Sequence, residues 1–283
     1  MATQSNKHFT QASLPFIGQK RMFLTEFKNI LNKVIDNDGE GWTVVDAFGG
    51  SGLLSHVAKR TKPAARVVYN DFDNYAERLK HIDDINKLRQ ILSNLLKDCT
   101  RQKRLDIATR HRVIDAIERF DGYKDPHILC SWLLFSGQQV GSVNELYRHG
   151  FYNCVRQSDY PTADGYLDGI EVVNKSFIDL LPNFTADKKA IFVLDPPYLC
   201  THQESYKQDV YFDLIKFLDL IRLTRPPYIF FSSTKSEFVR FVDWLVVTKG
   251  DNWESFVGYQ RMVVQASTRH CGKYEDNLIF KFK

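Results

Sequence analysis

A chain of 283 residues, 43% hydrophobic and 25% charged, has the usage of an ordinary soluble globular protein, long enough for one domain with an insert or for two small ones. Its formal charge of +4 is too small to name a nucleic-acid partner by itself, and no apolar run approaches the roughly 20 residues that cross a bilayer. The opening MATQSNKHFTQ has no apolar signal-peptide core, and five scattered cysteines (Cys99, Cys130, Cys154, Cys200, Cys271) form no CxxC pair, so reduced thiols in a cytoplasmic protein are expected, without disulfide framework or zinc site.

After a polar leader, TVVDAF (residues 43–48) reads as a β-branched strand running into Gly49, Gly50, Ser51 and Gly52, and LLSHVAKR then reads as a helix. RVVY (66–69) makes a second strand that stops at Asn70 and Asp71, about twenty residues beyond the glycines, as in the opening of a parallel βαβ unit. From roughly residue 75 to 120 the period turns helical, with Leu88, Ile91, Leu92, Leu95 and Leu96 at intervals of three and four. An apolar stretch CSWLLF (130–135) follows, then a glycine, tyrosine and asparagine rich region, 137–169, with no clear period. Strands resume at IEVV (170–173), AIFVL (190–194), YIFFS (228–232) and NLIFKF (277–282), with helices expected over 211–223 and 236–245. That alternation fits a doubly wound α/β sheet, and there is no internal repeat.

Asp195, Pro196, Pro197 and Tyr198 directly follow the buried-looking strand AIFVL. Open α/β sheets bind ligands beyond the carboxyl ends of their strands, so this tetrapeptide projects into the expected cleft. The prolines fix φ and leave the Pro196 carbonyl as an acceptor in a rigid corner. Acceptors from Asp195 and Pro196 suit an exocyclic amino group such as adenine N6, whose lone pair is delocalised and whose attack on a methyl sulfonium needs electrostatic help more than a strong base. Tyr198 is suited to stack on a base extruded from a duplex; the bland alternative for the tetrapeptide is a strand-ending turn.

DAFGGSG (46–52) has an FxGxG register, Phe48, Gly50 and Gly52, that differs from the dinucleotide GxGxxG, and no lysine follows as in a phosphate loop. An adenosine cofactor without pyrophosphate is preferred. Asp71 is placed either to accept from ribose hydroxyls or to cap the following helix. Between residues 86 and 112, Lys87, Arg89, Lys97, Arg101, Lys103, Arg104, Arg110 and Arg112 face only Asp98 and Asp106, which suits either phosphate contact or a solvated helix face.

LPFIGQK, DAFGGSG, YNDFDN and DPPY, in that order with a long spacer before DPPY, resemble the Dam-type (D12 class, alpha group) DNA N6-adenine methyltransferase family; QASTRHCGKYEDNLIFKF is similar to that family's final hairpin. The resemblance implies a Rossmann-like S-adenosylmethionine methyltransferase fold, with catalytic residues 1–78 and 166–283 and a mostly helical target-recognition insert, 79–165. It implies methyl transfer from S-adenosylmethionine to adenine N6 in double-stranded DNA by base flipping. Asp195, Pro196, Pro197 and Tyr198 would be catalytic. Phe16, Lys20, Asp46, Phe48, Gly50, Gly52, Asp71, Phe72, Phe177 and Asp195 would line the cofactor pocket.

The spacer's position assigns Lys97, Arg101, Lys103, Arg104 and Arg148 to DNA, while Tyr147, Phe151, Tyr152 and Asn153 with Arg148 form either a base-reading cluster or a packed corner. The resemblance admits a cognate restriction nuclease as partner, or a phage modification role. The chain departs from the family where Phe16, Ile17, Gly18 and Gln19 replace a tryptophan, alanine and two glycines, and where Lys175 and Ser176 precede Phe177 in place of an acidic residue. The main rival is an RNA adenine N6-methyltransferase, because the DPPY chemistry does not read a 2′-hydroxyl. Cytosine N4 would more often show serine, and a protein amide asparagine, where this chain has Asp195. A silent DNA-binding module would have no reason to keep Asp195, Tyr198 and the glycine turn together. His202 and His270 have no metal-ligand spacing.

Overall fold

The structure is a computed structural model that describes residues 8–135, 137–198, 212–233, 237–267 and 273–283. Cys200, His202, His270 and Cys271 lie outside the described residues.

Seven strands form one sheet in the order β3-β2-β1-β4-β5-β7-β6. They are β1 (Thr43–Asp46), β2 (Arg66–Asn70), β3 (Glu171–Val173), β4 (Ala190–Leu194), β5 (Tyr228–Ser233), β6 (Gln260–Ser267) and β7 (Lys273–Lys281). The first five are parallel, and β7 inserts antiparallel between β5 and β6. The central strands are buried along their whole length, which is why TVV, AIFVL and YIFF read as unbroken apolar runs. This is the mixed α/β, doubly wound Rossmann-like sheet expected from the sequence.

One face of the sheet packs on α1 (Leu24–Val34) and α2 (Leu53–Thr61), through Phe27, Leu31, Leu53 and Val57 against Val44, Val193 and Phe231. The other packs on α8 (Phe177–Leu180), α9 (Leu214–Leu223) and α10 (Phe238–Thr248), through Phe177, Phe217 and Phe238 against Val45, Phe192 and Phe230. Because α2 follows β1 and α9 follows β4 on opposite faces, the chain turns opposite ways from two neighbouring strands, and the crevice of a switch point opens above their carboxyl ends. Helix α1 falls in the stretch read as leader. The expected hairpin is β6–β7, and β6 begins earlier than the motif suggested.

Between β2 and β3 stand α3 (Tyr75–Lys80), α4 (Ile82–Leu95), α5 (Ile107–Arg119), α6 (Pro126–Leu133) and the short α7 (Val143–Leu146). Their shared core runs from Leu79 and Leu88 through Val113, Trp132 and Phe151 to Tyr160, and it takes in Ala12 and Leu14 of the leader. CSWLLF is mostly the end of α6, not a strand, because Asp125 caps Ile128 N–H and Pro126 sits at the first helical position. Asp125 also receives Arg78 Nε of α3 at 2.5 Å, a pair with side chains 1% and 7% exposed. Removing one partner strands the other charge, so Asp125→Ala should cost about 3–5 kcal/mol in urea unfolding. Asp125→Asn, which keeps the cap, should cost less; equal losses would contradict this account.

Candidate active site

Asp46 ends β1, and Asp195 follows the end of its neighbour β4. Val45 and Phe192 pack on the α8–α10 face and Val44 and Val193 on the α1–α2 face, so alternation along each strand turns both carboxylates toward α1 and α2. Asp46 is 1% exposed. Its Oδ2 accepts from Ser55 Oγ of α2 at 2.6 Å, while Oδ1 is buried with no hydrogen-bond partner among the described residues. Burial pushes its carboxyl up to about 7; the Ser55 hydrogen bond works against this, and the Asp195 charge adds to it.

Asp195 is also held above its ordinary range by burial, opposed by Lys20 and reinforced by Asp276 of β7. Lys20 Nζ lies 2.8 Å from Asp195 Oδ2, donates to Gly18 O at 2.9 Å, and stands 5.3 Å from the centre of the Tyr198 ring. The leader lysine, expected only in the cofactor pocket, is thus also the counter-charge of Asp195. Pro196 is buried, and Pro197 and Tyr198 are half-buried at the mouth.

The glycine turn is packed first by the chain's own rings. A Cβ at Gly49 would lie 2.2 Å from the Tyr69 ring, and one at Gly50 would lie 2.8 Å from Phe16. Gly50 and Gly52 adopt φ of +49° and +70°, where a side chain is strained. Phe16 lies edge-on to Tyr75, and Phe48, half-exposed, packs against buried Phe177 and Phe212. Phe177 is therefore a core residue beneath the turn.

Asp71 holds the first N–H groups of α3. Its Oδ1 accepts from Tyr75 N–H at 2.6 Å and lies 3.0 Å from Tyr69 Oη, and Oδ2 accepts from Ala76 N–H at 2.8 Å. Phe72 beside it is half-buried. Asn70, not singled out in the sequence, joins β1 to the segment after β3: its Nδ2 donates to Ala47 O and Lys175 O, and its Oδ1 accepts from Lys175 N–H.

The basic segment divides. Arg89 is buried, paired with Asp159 at 2.6 Å and donating to Arg156 O and Gln157 O; Arg110 donates to His149 O and Tyr147 O; both are structural. Arg101 is exposed but donates to Val155 O and Asn153 Oδ1. Lys97, Lys103, Arg104 and Arg148 are exposed. Phe151 and Asn153 belong to the packed corner, with Asn153 Nδ2 tying Leu96 O and Cys99 O. Phe135 beside this segment is 61% accessible, with its ring 5.3 Å from Tyr152, which bridges to Arg104.

A family model described as "D12 class N6 adenine-specific DNA methyltransferase" matches residues 16–221. A protein of Haemophilus influenzae strain Rd, described as "Putative methyltransferase", is 61% identical over 282 residues, covering 99% of this chain and 95% of that protein. The crystal structure of precorrin-6y C5,15-methyltransferase from Geobacter metallireducens GS-15 covers 94% of this chain and 90% of that chain at 9% identity and a TM-score of 0.35, a likeness too distant to add to the topology.

The folded protein holds a proton on Asp46 between its ordinary 3.8 and about 7, where the unfolded chain has lost it, so this carboxyl costs the ligand-free protein stability as pH rises through that window. Asp46→Asn, which can still accept from Ser55, should gain on the wild type over the same window and then level off; a constant difference across pH would contradict the desolvated carboxyl.

Proposed function

The chain belongs to the D12 class N6 adenine-specific DNA methyltransferase family, and from that premise we propose that it transfers a methyl group from S-adenosylmethionine to the exocyclic N6 of adenine in DNA. The observation that carries the reading is Asp195-Pro196-Pro197-Tyr198 at the carboxyl end of β4, at the switch point, beside a second buried carboxylate on β1.

The cofactor supplies an electrophilic methyl group on a positively charged sulfur. The residues present fit it. Asp46 Oδ1 is a buried acceptor without a partner among the described residues, a position that favours a cationic ligand. We assign Phe16, Lys20, Asp46, Phe48, Gly50, Gly52 and Asp195 to its pocket, with Phe72 and Phe177 at the margin and Asp71 acting only through the β2 turn that it caps.

Lys20 opposes the burial of Asp195 and so favours its ionised, accepting form. Asp195 and the Pro196 carbonyl then accept from the two N6 hydrogens, and Tyr198 stacks on the base. An adenine inside a duplex cannot reach a crevice, so the base is extruded. Lys97, Lys103, Arg104 and Arg148 supply phosphate contacts, with Arg101 contributing less because it is tied to Val155 O. Exposed Phe135 and half-buried Tyr152 are the rings beside that surface.

The test is transfer of labelled methyl from S-adenosylmethionine to unmethylated DNA and to RNA in parallel, followed by nucleoside identification. The reading expects label in N6-methyldeoxyadenosine and loss of at least about a hundredfold in rate for Asp195→Ala. Label in RNA alone would replace the substrate, and near-normal turnover by Asp195→Ala would displace the amino-group site. Charge reversal at Lys103 and Arg104 should weaken duplex binding and lower its salt slope by about 2; an unchanged slope would move the phosphate surface elsewhere.

A further inference from the structure

Two carbonyl oxygens of the glycine turn are each held by a buried phenol. Tyr69 Oη donates to Gly50 O at 2.7 Å, and Tyr166 Oη donates to Ser51 O at 2.9 Å. Tyr69 belongs to β2. Tyr166 comes from the limb on which the chain returns from the helical insert, 115 residues beyond Ser51.

That limb is stapled along the turn and the helix it opens. Tyr166 O accepts from His56 Nδ1 at 2.8 Å, Gly165 O accepts from Arg60 Nη2 at 2.6 Å, and a Cβ on Gly52 would lie 3.3 Å from Leu167. His56 Nε2 accepts from Phe9 N–H at 3.1 Å, so the ring carries its proton on Nδ1, and burial holds its pKa down to about 4. The imidazole stacks on the Tyr166 ring at 5.0 Å, and Phe9 meets both rings edge-on. Tyr166 is fully buried, and burial raises its pKa well above 10, so its hydroxyl is a permanent donor aimed at Ser51 O.

We propose that Tyr166 is a positioning residue for the cofactor loop: by fixing the Ser51 carbonyl it holds the turn preformed for S-adenosylmethionine, so the limb that returns from the insert completes the cofactor site. This rests on the function proposed above. A glycine turn loses more conformational freedom on ordering than any other, and a turn ordered before binding spares the ligand that cost. The sheet holds one carbonyl through Tyr69, and the limb returning from the insert holds the next.

Tyr166→Phe removes the hydroxyl and keeps the ring stack. It should raise the Kd and KM for S-adenosylmethionine by about five- to tenfold, with kcat at saturating cofactor and the Kd for unmethylated duplex DNA within about twofold of wild type. Unchanged cofactor affinity overturns the proposal. So does a variant that loses kcat or DNA affinity while keeping its KM, since Tyr166 would then only support the insert. Should Tyr166→Phe fail to fold, Arg60→Met, which frees the limb at Gly165 O, should raise the cofactor KM about two- to threefold, and an unchanged KM again overturns it. A wild-type protein that binds no S-adenosylmethionine would refute the proposed function itself and take this inference with it.

Discussion

Everything at this site follows from two carboxylates, Asp46 and Asp195, facing the same way from adjacent strand ends while largely removed from water. Like charges so placed resist ionisation, and burial adds to the resistance. Among the described residues Lys20 answers Asp195, and a hydroxyl, Ser55, answers half of Asp46. The other half, Asp46 Oδ1, has no partner among the described residues. An edge this acidic and incompletely satisfied is poised for a cationic ligand and for an amine that donates hydrogens, the two reactants of an amino-group methylation.

The remaining architecture keeps that edge in place. The parallel order around β1 puts the crevice where both carboxylates emerge, and Tyr69, Asn70 and Asp71 at the end of β2 brace the glycine turn and the start of α3. The insert shares its core with the leader through Ala12 and Leu14, so the segment carrying Phe16 and Lys20 leans on the helices as well as on the sheet. Tyr75, whose hydroxyl donates to Leu14 O and accepts from Leu14 N–H, joins the two.

Much of this was legible in the sequence because fully buried parallel strands leave apolar runs, and the glycine turn and DPPY stand at their ends. Helix α1 was missed although Phe27, Ile30, Leu31 and Val34 carry its period, since the polar stretch before it looked like leader. The insert beyond α6 has no period to read: Arg89, Arg101, Arg110 and Asn153 hold it by side-chain bonds to backbone carbonyls, which have no spacing rule. For the same reason charge alone did not separate buried Arg89 from exposed Lys103. The hold of Asp71 on the start of α3 needed coordinates, as did the pairing of Lys20 with Asp195 across 175 residues.

The most direct test of the incomplete carboxylate edge is calorimetric titration of the protein with S-adenosylmethionine at pH 6.5 and 8.5, in buffers of different ionisation enthalpy. A cation received by Asp46 must lower a carboxyl that stands near 7, so binding should release protons at pH 6.5, tighten as pH rises through about 7, and lose both effects in Asp46→Asn. Binding without proton release, with the same pH profile in wild type and Asp46→Asn, would contradict the account.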